Sequence, residues 1–136
     1  MLFRSGIPIE HYTATEAQKV KIQEADCIID AIFGTGFHGE LPENIKALAT
    51  LLQKVYSGKK IAIDVPLGAN ADNGSVFEEC VKVRATVALS YMKVGTLSYP
   101  ARAYVGDIIL APLDLPSDVE AVFEHKYFLT DRKSVV

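Results

Sequence analysis

The hydrophobic residues of this chain fall into short runs that alternate with polar, glycine-rich stretches. Four of these runs have the length and the β-branched content of strands. They span residues 27–33, 60–65, 84–90 and 106–111. The first two runs are apolar at nearly every position, which is typical of strands that are buried on both faces in a parallel sheet.

Two segments have helical spacing instead. Thr13 and Glu16 have the spacing of a capping box, a hydroxyl followed three residues later by a carboxylate, and predict a helix that ends at about Glu24. Pro42 suits the first turn of a second helix, which Gly58 is expected to close. The apolar face of this second helix comprises Ile45, Leu48, Ala49, Leu52, Val55 and Tyr56.

The order strand, glycine-rich loop, helix, strand is a βαβ unit, which joins parallel strands. We therefore predict an α/β fold, a Rossmann-like three-layer sandwich with a mainly parallel sheet. Such a sheet carries a phosphate-binding turn after its first strand, and the chain has no room for that strand and turn before Thr13. We expect residues 6–126 to be a domain that lacks its N-terminal side. Residues 127–136 are expected to be a linker with a tail that looks foreign to the domain.

Composition and charge narrow the class of protein. The 136 residues suit one domain, and 49% of them are hydrophobic. The net charge of −3 provides no positive surface for nucleic acid or an anionic membrane, and no apolar run approaches the ~18 residues that span a bilayer. Cys27 and Cys80 lie far apart without metal-ligand spacing. We therefore expect Cys27 to be a small buried side chain and the compartment to be reducing and cytoplasmic.

Candidate chemistry lies where the strands end, because open α/β sheets bind ligands outside the carboxyl ends of their strands. The glycine-rich loop, residues 34–40, follows the first strand and precedes a helix. Glycines allow a ligand to approach the backbone, and amides at a helix N-terminus favour anions. A tight turn without any ligand explains the same pattern. His38, within this loop, suits a substrate contact or plain surface better than a metal ligand.

Three charged residues are placed at or near the same edge. Asp64 ends the second strand, where a carboxylate either ties down the next loop or acts on a ligand. Asp30 lies inside an apolar run and needs a bound cation, backbone amides or a lysine as its partner. Lys93 follows the third strand, on the edge that also carries Asp64, and an ordinary surface lysine is the alternative.

Three blocks of sequence resemble the YjeF N-terminal domain, the NAD(P)H-hydrate epimerase family. Residues 25–37 are similar to the family's AD-x-I-(I/V)-D-A-(L/I)-FG-TG block. Residues 61–74 are similar to its (V/A)-x-D-(I/V)-P-S-G-x-x-(A/V)-D-x-G block. The third block comprises Ala-Thr-Val at 85–87, Lys-Val-Gly at 93–95 and Gly-Asp-Ile at 106–108. The resemblance covers about residues 18–116 and corresponds to the C-terminal part of the family's domain.

The resemblance implies an isomerase that interconverts the R and S epimers of hydrated NADH or NADPH, which are damaged cofactors with a hydroxyl at C6 of the nicotinamide ring. It implies that Asp64 is the catalytic acid/base and that Lys93 is a second catalytic residue beside it. It implies that the substrate also contacts the loop, through Gly34, Thr35, Gly36, Phe37, His38, Gly39 and Glu40. It further implies a potassium ion at Asp30, with position 67 as another ligand position.

Two departures from the family pattern matter. The family's Asn-Asn-Gly-Gly-Asp-Gly turn, which cradles the substrate and supplies a potassium ligand, lies upstream of the matched region and is absent. The family's serine after Asp-(Ile/Val)-Pro is Leu67 here, which removes a hydroxyl beside the cation. We therefore expect little activity from this chain alone. Tyr127 to Asp131 resemble a linker into a fused ADP/ATP-dependent dehydratase domain, which implies a bifunctional parent protein.

Other classes of function are kept as alternatives. A non-catalytic nucleotide-binding or protein-interaction scaffold of the same fold agrees with the missing hydroxyl at Leu67. A second copy of the chain is a candidate partner. An ordinary dinucleotide-dependent oxidoreductase is ranked lowest, because it needs a G-x-G-x-x-G turn after the first strand of the sheet and a later acidic residue, and neither is found at that place.

Overall fold

The sheet of the protein is parallel throughout the part of the chain that the structure, a computed structural model, describes. The described residues are 6–114. The strands are β1 (Ile28–Asp30), β2 (Lys60–Ile63), β3 (Ala85–Leu89) and β4 (Asp107–Ala111). They lie in the order β1-β2-β3-β4, and each neighbouring pair is parallel. The predicted α/β fold with a parallel sheet is confirmed, and all four strands end at one edge, here called the carboxyl edge.

Helices and short 3-10 turns connect the strands. They are α1 (Glu16–Glu24), α2 (Glu43–Gln53) and α3 (Val94–Leu97), with 3-10 turns at Ser57–Lys59 and Ala101–Ala103. Each strand is shorter by one or more residues than the apolar run that predicted it, because the ends of those runs continue into the connecting loops. None of the helices in residues 6–114 is long and apolar enough to cross a membrane.

Helix α1 begins two residues later than the capping box predicted. Thr15, not Thr13, is the N-cap, and its hydroxyl accepts a hydrogen bond from the backbone N–H of Gln18. The side chain of Gln18 accepts a hydrogen bond from the backbone N–H of Thr13 at 2.9 Å. The threonine–glutamine pair at positions 15 and 18 therefore performs the capping that was assigned to Thr13 and Glu16. The predicted end at Glu24 is confirmed.

Helix α2 ends earlier than predicted, and a lysine rather than Gly58 completes its last turn. The Lys60 side chain is buried, and its ammonium donates hydrogen bonds to the carbonyl oxygens of Leu52 and Val55 at 2.7 and 2.8 Å. The Leu52 carbonyl also accepts a hydrogen bond from the Val55 N–H at 3.1 Å, and Val55 lies beyond the last residue of the helix, so the ammonium adds a cationic partner to carbonyls at the C-terminal end of α2. Burial lowers the pKa of Lys60. Gly58 lies in the 3-10 turn that follows.

The hydrophobic core lies between helices α1 and α2 and one face of the sheet. Its buried members are Leu41, Ala49, Leu52, Ala62, Leu67, Val81 and Val83. Ile22 of α1 packs against this cluster. Leu67 and Val81 come from the long connection between β2 and β3, which crosses back over the core. This connection therefore holds the carboxyl edge in place.

The opposite face of the sheet is open within residues 6–114. Ile29 is 65% exposed and Ile109 is 54% exposed, and strand alternation places them on the face away from Ala62. The prediction that the first strand is buried on both faces is therefore wrong for the described residues, and Cys27 is exposed rather than buried. The third layer of the predicted sandwich is not formed by this part of the chain.

The predicted domain boundaries fall partly outside the described residues. Residues 115–126 of the predicted domain, and the predicted linker and tail at 127–136, are not described. These boundaries stay predictions.

Candidate functional site

Asp64 lies at the carboxyl edge, directly after β2. Its backbone is left-handed, with φ of 71°, and its N–H donates a hydrogen bond to the carbonyl of Val87 in β3 at 2.8 Å. A left-handed conformation is uncommon for an aspartate and turns the side chain away from the direction that the strand would give it. The side chain is 15% exposed, so the carboxylate is shielded but reachable at the edge of the sheet.

Lys93 is the charged partner of Asp64. Its ammonium forms an ion pair with Asp64 Oδ1, and the Lys93 side chain is 16% exposed. It also donates a hydrogen bond to the carbonyl oxygen of Leu89, the last residue of β3, at 2.8 Å. Two anchors hold the ammonium in one position, so Lys93 orients the Asp64 carboxylate instead of lying free on the surface. The structure thus brings these two predicted site residues together.

The glycine-rich loop begins against the Asp64 carboxylate. A Cβ atom at Gly34 would lie 3.1 Å from Asp64 Oδ2, so a side chain there would press on the carboxylate. Thr35, Gly36, His38, Gly39 and Glu40 are exposed, and Phe37 is half-buried. The predicted substrate-binding loop therefore starts at the site and leaves most of its backbone accessible to a ligand.

The loop has the G-x-G-x-x-G spacing of dinucleotide-binding turns, at Gly34, Gly36 and Gly39. In those turns the helix begins within the motif, so that its N-terminal amides meet the pyrophosphate. Here α2 begins at Glu43, four residues after Gly39, and Pro42 occupies the N-cap position. The amides of the helix are therefore not part of the turn, which disfavours the dinucleotide-dependent oxidoreductase and leaves a loop whose own backbone is exposed.

Aromatic side chains fix the far side of this loop. The rings of Phe33 and Phe37 stack with centroids 4.0 Å apart, and the ring of Phe77 lies 6.4 Å from that of Phe37. A small cavity of about 80 Å³ opens between this loop and the connection after β2. Its polar lining includes His38 and Asn70. Asn70 and Phe77 were not singled out from the sequence, because nothing local indicates that their loop folds against residues 34–40.

Asp30 uses its carboxylate to bind backbone amides. Its Oδ2 accepts a hydrogen bond from the Leu67 N–H at 2.7 Å, and its Oδ1 accepts one from the Ile32 N–H at 3.3 Å. Asp30 is 3% exposed, and burial raises the pKa of its carboxyl group while the two amides oppose that rise. Of the three partners considered for Asp30, the structure shows backbone amides. Burial, and to a lesser extent the negative charge of Asp30, raises the pKa of the Cys80 thiol to about 12. A thiol with this pKa stays protonated at neutral pH and is a poor nucleophile.

The described residues do not by themselves fit a potassium ion. Hard cations bind sets of oxygen ligands, whereas N–H groups point at both oxygens of Asp30. The side chain of Leu67 is fully buried in the core and carries no oxygen. Among residues 6–114 no three His, Cys, Asp or Glu residues are grouped so that they could hold a metal ion. Asp30 and Leu67 as potassium ligands therefore stay predictions.

Ser90 is a residue at the carboxyl edge that sequence reasoning did not single out. It directly follows β3, has a left-handed φ of 59°, and its hydroxyl oxygen is buried without a hydrogen-bond partner in the described part of the chain. No sequence signal marks it, because a left-handed position usually carries glycine or asparagine.

Comparison with known proteins identifies relatives of this chain. A bifunctional NAD(P)H-hydrate repair enzyme Nnr of Vibrio cholerae is 42% identical over 102 residues, which are 74% of this chain and 19% of that protein. The corresponding enzyme of Pyrobaculum aerophilum is 37% identical over 98 residues, 72% of this chain and 19% of that protein. The NAD(P)H-hydrate epimerase of Leuconostoc citreum is 34% identical over 112 residues, 81% of this chain and 50% of that protein. The chain thus spans about half the length of this epimerase and about a fifth of the bifunctional enzymes.

The family described as YjeF-related protein N-terminus matches residues 1–95. This match includes β1, β2 and β3 and both Asp64 and Lys93. It covers more than half of the 136 residues, so the resemblance is confirmed: the chain belongs to the family of YjeF-related N-terminal domains.

Proposed function

We propose that the protein to which this chain belongs epimerises the R and S forms of hydrated NADH and NADPH, a metabolite-repair reaction. The observation that carries the proposal is the Asp64–Lys93 ion pair at the carboxyl edge of the sheet, against the start of the glycine-rich loop at Gly34. Relatives that are 31–42% identical are named for NAD(P)H-hydrate epimerisation or repair. Both the site and the relatives support the same class of reaction.

The chemistry of epimerisation suits a single buried carboxylate. The reaction changes the configuration of one carbon and leaves the composition and the oxidation state of the substrate unchanged. A proton that is removed and returned on the same face restores the starting epimer, so inversion requires a bond at C6 to open and to close on the opposite face. One group suffices when it moves the proton of the C6 hydroxyl to the ring nitrogen as the C6–N1 bond breaks, and moves it back when the resulting aldehyde has turned over and the bond re-forms; no second substrate is needed. We assign this role to Asp64, while Lys93 orients the carboxylate through its contacts with Asp64 and with the Leu89 carbonyl.

The glycine-rich loop is the proposed substrate-binding segment. Gly34 leaves room for the substrate beside Asp64 Oδ2, and the exposed backbone at Thr35, Gly36 and Gly39 can donate hydrogen bonds to ligand oxygens. Phe37 anchors the loop through its stack on Phe33, so the loop is held in place before any ligand binds. The remaining predicted contacts, His38 and Glu40, are exposed and free to reach a bound dinucleotide.

The test follows epimer interconversion by NMR or chromatography, with the protein that the complete gene encodes. We expect turnover by the wild type and a large loss in the Asp64→Asn variant. Equal rates in the two proteins would remove the role of Asp64. The 136-residue chain alone is expected to have little activity, because it spans only about half of an epimerase relative. Full turnover by this chain would contradict that expectation.

A scaffold without catalytic activity is the competing function. It would bind a nucleotide or a protein partner and leave the epimers unchanged. Thermal shifts of the complete protein with NADPH, ADP-ribose and potassium chloride, together with the turnover assay, distinguish the epimerase from the scaffold. Stabilisation by NADPH together with epimer turnover supports the enzyme, whereas turnover that is absent from the complete protein supports the scaffold.

Several finer features remain proposals. The relatives of Vibrio cholerae and Pyrobaculum aerophilum are named bifunctional, which supports a parent protein that also carries an ADP/ATP-dependent dehydratase domain. The potassium ion, a homodimer and a cytoplasmic location stay predictions from the sequence. We derive no catalytic step from potassium, because Asp30 and Leu67 do not form an oxygen-lined site in the described residues.

A further inference from the structure

Ser90 combines two features that are both unfavourable for a serine. Its backbone is left-handed, with φ of 59°, a conformation that side chains with a Cβ atom rarely adopt. Its hydroxyl oxygen is buried and has no hydrogen-bond partner among residues 6–114, although its N–H donates to the carbonyl of Ala111 at 2.9 Å. Buried polar groups in proteins almost always have a partner. The hydroxyl of Ser90 therefore needs a partner that the described residues do not supply.

Glycine at this position would remove both penalties at once. It adopts left-handed backbone freely, and it has no hydroxyl to bury. The chain uses glycine at other left-handed positions, for example Gly68 and Gly74. Ala14 and Asp64 are left-handed without being glycine, so the backbone alone does not single out Ser90; its buried hydroxyl without a partner does, and it points to a use for that hydroxyl.

The position of Ser90 connects it with the Asp64–Lys93 pair. Ser90 follows Leu89, whose carbonyl oxygen accepts the hydrogen bond from the Lys93 ammonium. The same ammonium contacts the Asp64 carboxylate. In the described part of the chain, Asp64 Oδ1 and Ser90 Oγ are the two buried side-chain atoms without a hydrogen-bond partner, and Asp64 Oδ1 has its ionic contact with Lys93. The two atoms lie at the ends of neighbouring strands.

We propose that Ser90 is a specificity-determining residue, whose hydroxyl hydrogen-bonds the C6 hydroxyl of the hydrated nicotinamide ring beside Asp64. The inference rests on the proposed function and names how the site recognises its substrate. A serine hydroxyl both donates and accepts hydrogen bonds, and its hydrogen rotates to suit the partner, so it can pair with a substrate hydroxyl in either sense. Undamaged NADH and NADPH lack this hydroxyl and leave Ser90 unpaired. A site built around a substrate hydroxyl disfavours the analogue without it.

The test compares the affinity for NADPH hydrate with that for NADPH, by calorimetry on the complete protein. We expect the wild type to bind the hydrate more tightly. Ser90→Ala and Ser90→Gly should reduce this preference by about 10-fold or more and leave the affinity for NADPH unchanged. Ser57→Ala, at the opposite edge of the sheet, removes a hydroxyl far from the site and should keep the wild-type preference.

The two variants distinguish an effect of the lost Ser90 hydroxyl from an effect of the relaxed backbone. Alanine keeps the Cβ atom in left-handed backbone, whereas glycine relaxes it, so an effect of the hydroxyl appears equally in both. A wild-type preference retained by both variants, or lost in Ser90→Gly alone, would overturn the role of Ser90 while epimer turnover by the wild type still supports the proposed function. A wild type that neither epimerises the hydrate nor prefers it to NADPH would overturn both.

Discussion

Asp30 ends β1 and Asp64 directly follows β2, so two aspartates lie at the same edge of the sheet. Their partners and their exposure differ. Asp30 is 3% exposed, and each of its carboxylate oxygens accepts a hydrogen bond from a backbone amide. Asp64 pairs with the ammonium of Lys93 and keeps 15% of its side chain exposed. Two carboxylates at the same edge of the sheet therefore differ in their partners: backbone amides for Asp30, and a cation with partial access to solvent for Asp64.

The two carboxylates are also connected. Asp30 binds the amide of Leu67, three residues after Asp64, and so fixes the loop that leaves β2. Leu67 is fully buried in the core, which holds that loop from the other side. Asp30 thus helps to keep Asp64 in its left-handed position, and the comparison predicts different consequences for the removal of the two carboxylates.

The largest effect is expected from Asp64→Asn in the complete protein. Asparagine keeps the shape of the side chain but cannot act as an acid/base, so the epimerisation rate should fall by about 10³-fold, while the free energy of unfolding falls only by the lost charge of the ion pair with Lys93. Rates come from chromatographic separation of the epimers, and stability comes from urea unfolding. Asp72→Asn, an exposed aspartate in the same connection, is the matched control and should leave both quantities unchanged. Equal losses in the two variants would contradict a specific role of Asp64.

Replacement of Asp30 should act on stability instead. Asp30→Ala leaves the buried amides of Leu67 and Ile32 without an acceptor, so the free energy of unfolding of the chain should fall by about 2–4 kcal/mol. Asp30→Asn retains one acceptor oxygen and should cost less. Urea unfolding measures both. A chain that tolerates alanine here would show that water replaces the carboxylate, and that Asp30 does not hold the loop.

The difference between Asp30 and Asp64 could be predicted from the sequence only in part. The apolar runs and the helices between them correctly indicated parallel strands with a common edge, because the βαβ order is visible in the local pattern. They left the roles of Asp30 and Asp64 open, because the amide of Leu67 is 37 residues from Asp30 and reaches it only in the folded chain. The sequence did not indicate Ser90 either, because its left-handed φ depends on how β3 continues into the next loop of the folded chain.

The exposed face of the sheet shows a further limit of the sequence pattern. Ile29 was expected to be buried because its run is apolar throughout, and it is 65% exposed in the structure. An apolar run indicates that a strand needs cover on both faces, but the covering layer has to come from other parts of a protein. Residues 6–114 do not supply a layer that covers Ile29, so the apolar run alone predicted its burial wrongly.

A smaller effect is expected at Gly34, which lies against the Asp64 carboxylate. Gly34→Ala places a methyl group 3.1 Å from Asp64 Oδ2 and should turn the carboxylate away from the substrate, with a loss of about 10-fold in kcat. The same change at Gly36 meets no atom within 4 Å and should cost less. Steady-state kinetics of the complete protein compare the two. A greater loss at Gly36 would indicate that the loop acts through its backbone contacts with the substrate and not through Asp64.

The smallest effect is a pH dependence that belongs to Asp30. Burial raises the pKa of this carboxyl group above the value of 3.8 that an exposed aspartate has, so the folded chain binds the proton more tightly than the unfolded chain. The contribution of Asp30 to stability is therefore greatest below pH 3.8 and is lost as the pH rises through the raised pKa; each unit of the rise corresponds to about 1.4 kcal/mol. The difference in unfolding free energy between the wild type and Asp30→Asn, measured in urea from pH 7 to pH 4, should grow in favour of the wild type as the pH falls. A difference that shrinks on acidification would mean that the two amide hydrogen bonds outweigh burial and that Asp30 is held as a carboxylate, as a catalytic group would be.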